Sequence, residues 1–210
     1  MIHARSSLLF ASLFLVPAAC EAATYLSANS AVASTSLSDD LLAGISPTGT
    51  ATREGGDTDT ATIGFASLTD GITGTTSSGR SFVTNGTLDF NLGGTFDIST
   101  IYFRLVNAVV DDRLAFNATV FVSFDNGGNY SQVASVVDGF DNSGGEFATT
   151  GTLSGINAGS VTNLRFTIAN VGSFPASFSE IDVIGTAVPE PSGAILPVIG
   201  ALGFLLRRRR

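Results

Sequence analysis

The chain predicts an all-β fold, an antiparallel jelly-roll sandwich, and three observations carry that expectation. Short runs of β-branched and aromatic residues recur between clusters of Gly, Asn, Asp and Ser. Several of those runs alternate polar and apolar with period two, as a half-buried strand does, and none has convincing helical periodicity. Hydrophobic residues make up 44% of the 210, 16 of them Phe, so the chain has the apolar surface for a packed core that a disordered chain lacks.

Taken in order, residues 24–72 give little: Asp39-Asp40-Leu41-Leu42-Ala43-Gly44 suits either a short helix or a loop. The pattern sharpens at residues 87–92 (TLDFNL), which alternate, followed by a longer run at 98–106 (ISTIYFRLV). Residues 118–124 (ATVFVSF) and 130–137 (YSQVASVV) flank Asp125-Asn126-Gly127-Gly128 and predict a hairpin, with Asn and Gly at the positive-φ positions. Runs at 161–169 (VTNLRFTIA) and 178–184 (FSEIDVI) complete the strands expected. No internal repeat is visible.

Both ends read as processing signals. Arg5, an apolar run over residues 8–16 and the small-residue exit Pro17-Ala18-Ala19-Cys20-Glu21-Ala22 form a secretory signal peptide over residues 1–22. The run is shorter than the ~20 residues of a permanent span. Cleavage is expected between Cys20 and Ala23; the alternative is a lipidated Cys20, against which Pro17 stands where such signals carry Leu or Val. At the other end come Val188, Pro189, Glu190, Pro191 and Ser192, an apolar stretch over 193–206, and Arg207, Arg208, Arg209 and Arg210. The prolines keep the motif extended. As a helix the apolar stretch would be about 21 Å long, a short transmembrane span. The arginines would stop it on the cytoplasmic side. The remaining unit, residues 23–186, is the β-sandwich domain, and 187–210 the sorting segment.

That tail resembles the PEP-CTERM sorting signal: Pro189, Glu190 and Pro191 match its motif, and Val188 and Ser192 its common flanks. The resemblance implies exosortase, a membrane transpeptidase-like Cys protease, as processing partner. It also implies export through the inner membrane, transient anchoring, and a final place at the cell surface or outside the cell.

The order of the middle pieces resembles the discoidin, or coagulation-factor C-type, domains. Ser67-Leu68-Thr69-Asp70-Gly71 is similar to their early Asp-Gly step, and residues 87–93 (TLDFNLG) to their strand ending in Asp-Leu-Gly, here with Asn91 for the Asp. Residues 122–128 (VSFDNGG) resemble their Ser-x-Asp-Gly hairpin, Leu164-Arg165-Phe166 their late Arg-bearing strand, and residues 180–185 (EIDVIG) their closing strand. The family's Trp after the Asp-Gly loop has only Phe82 in its place. The resemblance spans residues 30–185 and implies a galactose-binding-like jelly roll.

Charge excludes several functions. Arg5 and Arg207–Arg210 lie in the end segments, as do Glu21 and Glu190, so the domain between keeps five Arg, no Lys and 16 acids, a net charge of −11. Such a domain has no electrostatic footprint for nucleic acid. The domain also lacks His and Cys, because His3 and Cys20 leave with the signal peptide. Neither a Ser-His-Asp nor a Cys-His arrangement can be built, and zinc lacks its ligands, so the expectation is a non-enzyme.

Hard oxygen ligands suit calcium. Candidate acids lie at Asp39-Asp40, residues 54–59, Asp111-Asp112 and residues 138–146, though none has EF-hand spacing. The resemblance implies a structural calcium near the early Asp-Gly loop, which points to Asp39, Asp40 and Asp70; solvated turn acids are the other reading of the same residues. Candidate sugar contacts are Tyr130, Phe140 and Phe174, each of which also suits packing. The function expected is therefore an exported, non-catalytic interaction component of a cell surface or of a biofilm or exopolysaccharide matrix, sorted by exosortase. The alternative is a carbohydrate- or calcium-dependent binding module with a defined ligand.

Overall fold

The computed structural model describes residues 23–30, 37, 39–51, 65–71, 81–83, 85–108, 116–138, 146–171 and 176–189. They form seven strands: β1 (Thr24–Ser30), β2 (Ser81–Val83), β3 (Gly86–Ala108), β4 (Phe116–Ser123), β5 (Ser131–Asp138), β6 (Glu146–Asn170) and β7 (Ala176–Ala187). A 3-10 turn spans Phe65–Leu68. Every strand pairing is antiparallel, in the order β2-β7-β3-β6-β4-β5, with β1 on the first part of β6.

β3 and β6, of 23 and 25 residues, are several times the usual strand length. Their pairing slips between Asn91 and Thr100, and Gly93, Gly155, Asn157 and Ser160 take positive φ beside the slips. Bulges of this kind bend a strand. The first half of β3 and the last half of β6 lie with β4 and β5; the other halves lie with β7, β2 and β1. Phenylalanines show that the two halves face each other. Phe103, on the second half of β3, packs edge-on to Phe166 across the core at 5.7 Å and against Phe116 of β4 at 5.3 Å. Phe116 in turn meets Phe178 of β7 at 5.1 Å. The sheet thus folds over itself into a sandwich.

The strands expected at 87–92 and 98–106 are one strand, because the Gly93-Gly94-Thr95 segment turns the corner at a register slip and the pairing to β6 resumes at Phe96. The first half of β6 and all of β1 had no clear sequence signal. Residues 146–160 are rich in Gly, Thr and Ser, and their strand conformation is imposed by β3 on one side and β1 on the other. The expected hairpin is present: Asn126 and Gly127 take φ of 58° and 84°, and Asp125 closes the turn by accepting from the Ser123 hydroxyl at 2.7 Å and the Asn129 amide at 2.8 Å. Those bonds hold the exposed Asp125 carboxyl down at about 2. The segment at Asp39–Gly44 is a run of turns rather than a helix.

The signal peptide and the apolar tail lie outside the described residues, as do Glu190, Pro191, Ser192 and Arg207–Arg210. No helix among the described residues is long and apolar enough to cross a membrane.

Candidate functional site

An extra residue in β7 builds an unusual site. Leu105 pairs with Phe178, but Arg104 pairs with Glu180, so Ser179 is bulged out of register. A bulge reverses which face the following side chains take. Phe178 points into the core, and beyond the bulge Ile181 and Val183 do so, opposite Phe103 and Ile101. Glu180 and Asp182 therefore project from the outer face, beside Arg104.

That outer face is not solvent. Residues 39–45 and 65–71 lie over it, joined by Gly44 N–H donating to the Thr69 carbonyl at 2.7 Å and the Thr69 hydroxyl donating to the Ile45 carbonyl at 2.9 Å. Leu42 and Leu68 are fully buried beneath this cover. The cover extends the sheet edge, because Leu41 N–H donates to the Val183 carbonyl at 2.8 Å. Glu180 and Asp182 are left with no exposed surface.

Three acids converge there: Asp40, Glu180 and Asp182 offer ligand atoms that all lie within 4.8 Å of one another. Asp40 Oδ1 accepts from Val183 N–H at 2.7 Å and Leu42 N–H at 3.0 Å. Glu180 Oε1 accepts from Gly71 N–H at 3.1 Å, and Asp182 Oδ2 from Arg104 Nε at 2.5 Å. The second oxygens, Glu180 Oε2 and Asp182 Oδ1, are buried with no hydrogen-bond partner. Burial, reinforced by the Asp182, Asp70 and Asp40 charges against the opposing Gly71 N–H, pushes the Glu180 carboxyl up to about 8. Burial likewise raises Asp182 and Asp40, against the Arg104 guanidinium in one case and the two backbone donors in the other.

Three carboxylates facing one arginine leave two uncompensated negative charges when all are ionised. Orphaned carboxylate oxygens in a buried place are costly, and a hard divalent cation satisfies both the lone pairs and the charge. The donor set is oxygen only, so it fits calcium. Of the three acids expected for that ion, the structure brings only Asp40 into the group. Asp39 is exposed next door, and exposed Asp70 lies near enough to raise Glu180 by its charge. Glu180 and Asp182 carry no metal signal in the sequence, since Glu-x-Asp in an alternating strand reads as a solvated face.

A second feature lies alongside. At the bulged corner an open cavity of about 410 Å³ is lined by Asp39, Asp97, Ser99, Asn157 and Thr186 over an apolar base that includes Ile98 and Ile184. Asp97 Oδ1 accepts from Ser160 N–H at 2.9 Å. Gly185 is required there, because a Cβ on it would sit 2.5 Å from the Asp97 carbonyl oxygen. Asp39 and Asp40 are neighbours in the chain, so the cavity lies next to the acid group.

Elsewhere, Arg165 forms a two-point pair with Asp89, Nε to Oδ1 at 2.5 Å and an NH2 to Oδ2 at 3.0 Å, and stacks 4.1 Å from the Tyr130 ring centre. Tyr130 is thus held by packing on its arginine. Tyr102 stands near Arg104, and Tyr25 covers Gly151. Phe140, Phe174, residues 54–59 and Asp111-Asp112 lie outside the described residues.

No protein-family model matches the chain, and no curated protein is similar to it. Solved structures do match. The lectin domain of lectinolysin, complexed with Lewis B antigen, superposes with a TM-score of 0.50 at 15% identity, over 71% of this chain and 99% of that one. A module from Clostridium perfringens in complex with GalNAc-β-1,3-galactose gives a TM-score of 0.45 at 22% identity, over 66% of this chain and 95% of that one. A fucose-binding module from Streptococcus pneumoniae gives 0.44 at 12%, over 69% and 96%. At such identities the likeness is one of fold, and the fold this chain shares with the lectinolysin domain is the galactose-binding-like β-sandwich.

Proposed function

We propose that this chain is an exported, non-catalytic carbohydrate-binding module, braced by calcium at Asp40, Glu180 and Asp182 and sorted to the cell surface or matrix by exosortase. The observation that carries the binding reading is the open polar cavity at the corner of a fold that, in lectinolysin, is a lectin domain complexed with Lewis B antigen. Carboxylates, hydroxyls and an amide around a shallow apolar base are the groups that exchange hydrogen bonds with sugar hydroxyls. The lack of His and Cys in the domain supports a binding role over catalysis. This reading prefers a binding module with a defined ligand, the alternative expected from sequence, to the matrix component expected first.

The calcium would be structural. Asp40 comes from the covering segment and Glu180 and Asp182 from β7, so an ion held by all three would pin the cover to the sandwich. The tail supports the sorting reading through Pro189, Glu190 and Pro191, which follow β7 almost directly; Val188 N–H still donates to the Thr95 carbonyl at 2.9 Å.

Screening the purified protein on a glycan array, with calcium and with chelator, tests the binding reading: saturable binding of a defined glycan is expected. A protein that binds no glycan yet stays in the matrix fraction of its host would be a structural component instead. Intact mass with and without exosortase tests the sorting, and a form still carrying residues 193–210 in both strains would defeat it.

A further inference from the structure

We propose that the corner cavity selects a cationic sugar, an oligosaccharide bearing free amino groups such as glucosamine units, over neutral and uronate-bearing glycans; this rests on the carbohydrate-binding reading above. The cavity, about 410 Å³, is in the range of small-ligand sites, roughly 300–1,000 Å³. It is built rather than incidental. Three features fix its shape: the positive φ of Asn157 and Ser160, the Asp97–Ser160 bond, and the close pass of Gly185 over the Asp97 carbonyl.

Its charge is one-sided. Asp39 and Asp97 both line it, and no basic residue among the described residues does. The two described arginines of the domain are committed elsewhere, Arg104 to buried Asp182 and Arg165 to Asp89. Around this site the domain carries a net charge of −11. An ammonium group entering the cavity gains charge-assisted hydrogen bonds to carboxylates, while a uronate meets repulsion and, among the described residues, no cation. Ser99, Asn157 and Thr186 supply the neutral donors and acceptors for ring hydroxyls, and the apolar base suits a sugar's carbon face.

The test is a calorimetric titration of the purified protein with a glucosamine trimer, its N-acetylated counterpart and a galacturonate trimer, with amide NMR shifts to locate binding. The glucosamine trimer is expected to bind at least about tenfold tighter than the N-acetylated one, less tightly as salt rises, and with shifts at Asn157, Gly159 and Gly185. Asp97→Asn keeps an acceptor for Ser160 N–H, so the fold survives, and both it and Asp39→Asn should lose most of the preference. Equal binding of the neutral trimer overturns the amino-sugar assignment and leaves the carbohydrate reading standing. Shifts spread over the acidic surface, or tight binding that ignores both substitutions, overturn the location. If all three trimers and a glycan array give no binding, the carbohydrate reading itself fails.

Discussion

Replacing Glu180 by Gln should make the metal-free protein more stable at neutral pH, not less. Glu180 has no exposed surface, one oxygen bonded to Gly71 N–H and the other without a partner. Its carboxyl sits at about 8 in the fold against an ordinary 4.5. A proton held more tightly in the folded state means that stability is lost as pH rises, beginning near 4.5 and levelling above 8. At pH 7 most of that loss has occurred: about 2.5 of the 3.5 pH units, or on the order of 3 kcal/mol at 1.36 kcal/mol per unit. Gln keeps the acceptor for Gly71 and puts an uncharged amide in place of a carboxylate grouped with Asp182 and Asp40, so the cost goes without a cavity. Urea unfolding in chelator at pH 5 and pH 8 is the assay. Wild type should weaken by a few kcal/mol between the two, and Glu180→Gln should lose much of that slope, the remainder coming from raised Asp40 and Asp182. A wild-type profile that is flat or rising over this interval would refute the reasoning, because it would mean the buried acids are solvated or already paired.

Three further outcomes follow from the same structure. Millimolar calcium should raise the melting temperature of wild type, by roughly 5–10 °C at a hundredfold excess over Kd, more at pH 8 than at pH 5, and hardly at all in Asp182→Asn followed by thermal shift. Deleting Ser179 removes the bulge but brings Phe178 opposite Leu105 and Glu180 opposite Arg104 in consecutive register. Circular dichroism and NMR should therefore show a folded protein with Glu180 and Asp182 still on the outer face, weakened by about 1 kcal/mol for the lost hydroxyl bond to the Arg104 carbonyl. Gly86→Ala should cost about 2–4 kcal/mol by denaturant unfolding, because its Cβ would lie 2.5 Å from the Ala51 Cα at a φ of 155°, whereas Gly44→Ala meets no atom and should cost about 1 kcal/mol from its φ of 75° alone.

The strand-rich fold is legible in the sequence, because local signals suffice. Period-two alternation at 116–123 puts Phe116, Ala118, Val120 and Val122 inside, and Asp125-Asn126-Gly127 turns the hairpin whatever surrounds it. Composition also fixed the acidic charge and the want of His and Cys in the domain. Asp40 could be suspected from sequence only through the family resemblance, which implies a calcium near the early Asp-Gly loop.

The site, by contrast, is a product of long-range contacts. Glu180 is joined to Gly71 across 109 residues and Val183 to Asp40 across 143, separations at which no local pattern speaks. Alternation read in isolation sends Glu180 and Asp182 to solvent. Residues 39–45 and 65–71 bury them, and the Ser179 bulge sets which face they leave from. The corner cavity is equally non-local, drawn from the 39 segment, β3, β6 and β7. The physical reason is the same in both places: a side chain's face follows from its own strand, but its solvent and its charged neighbours follow from segments far away in the chain.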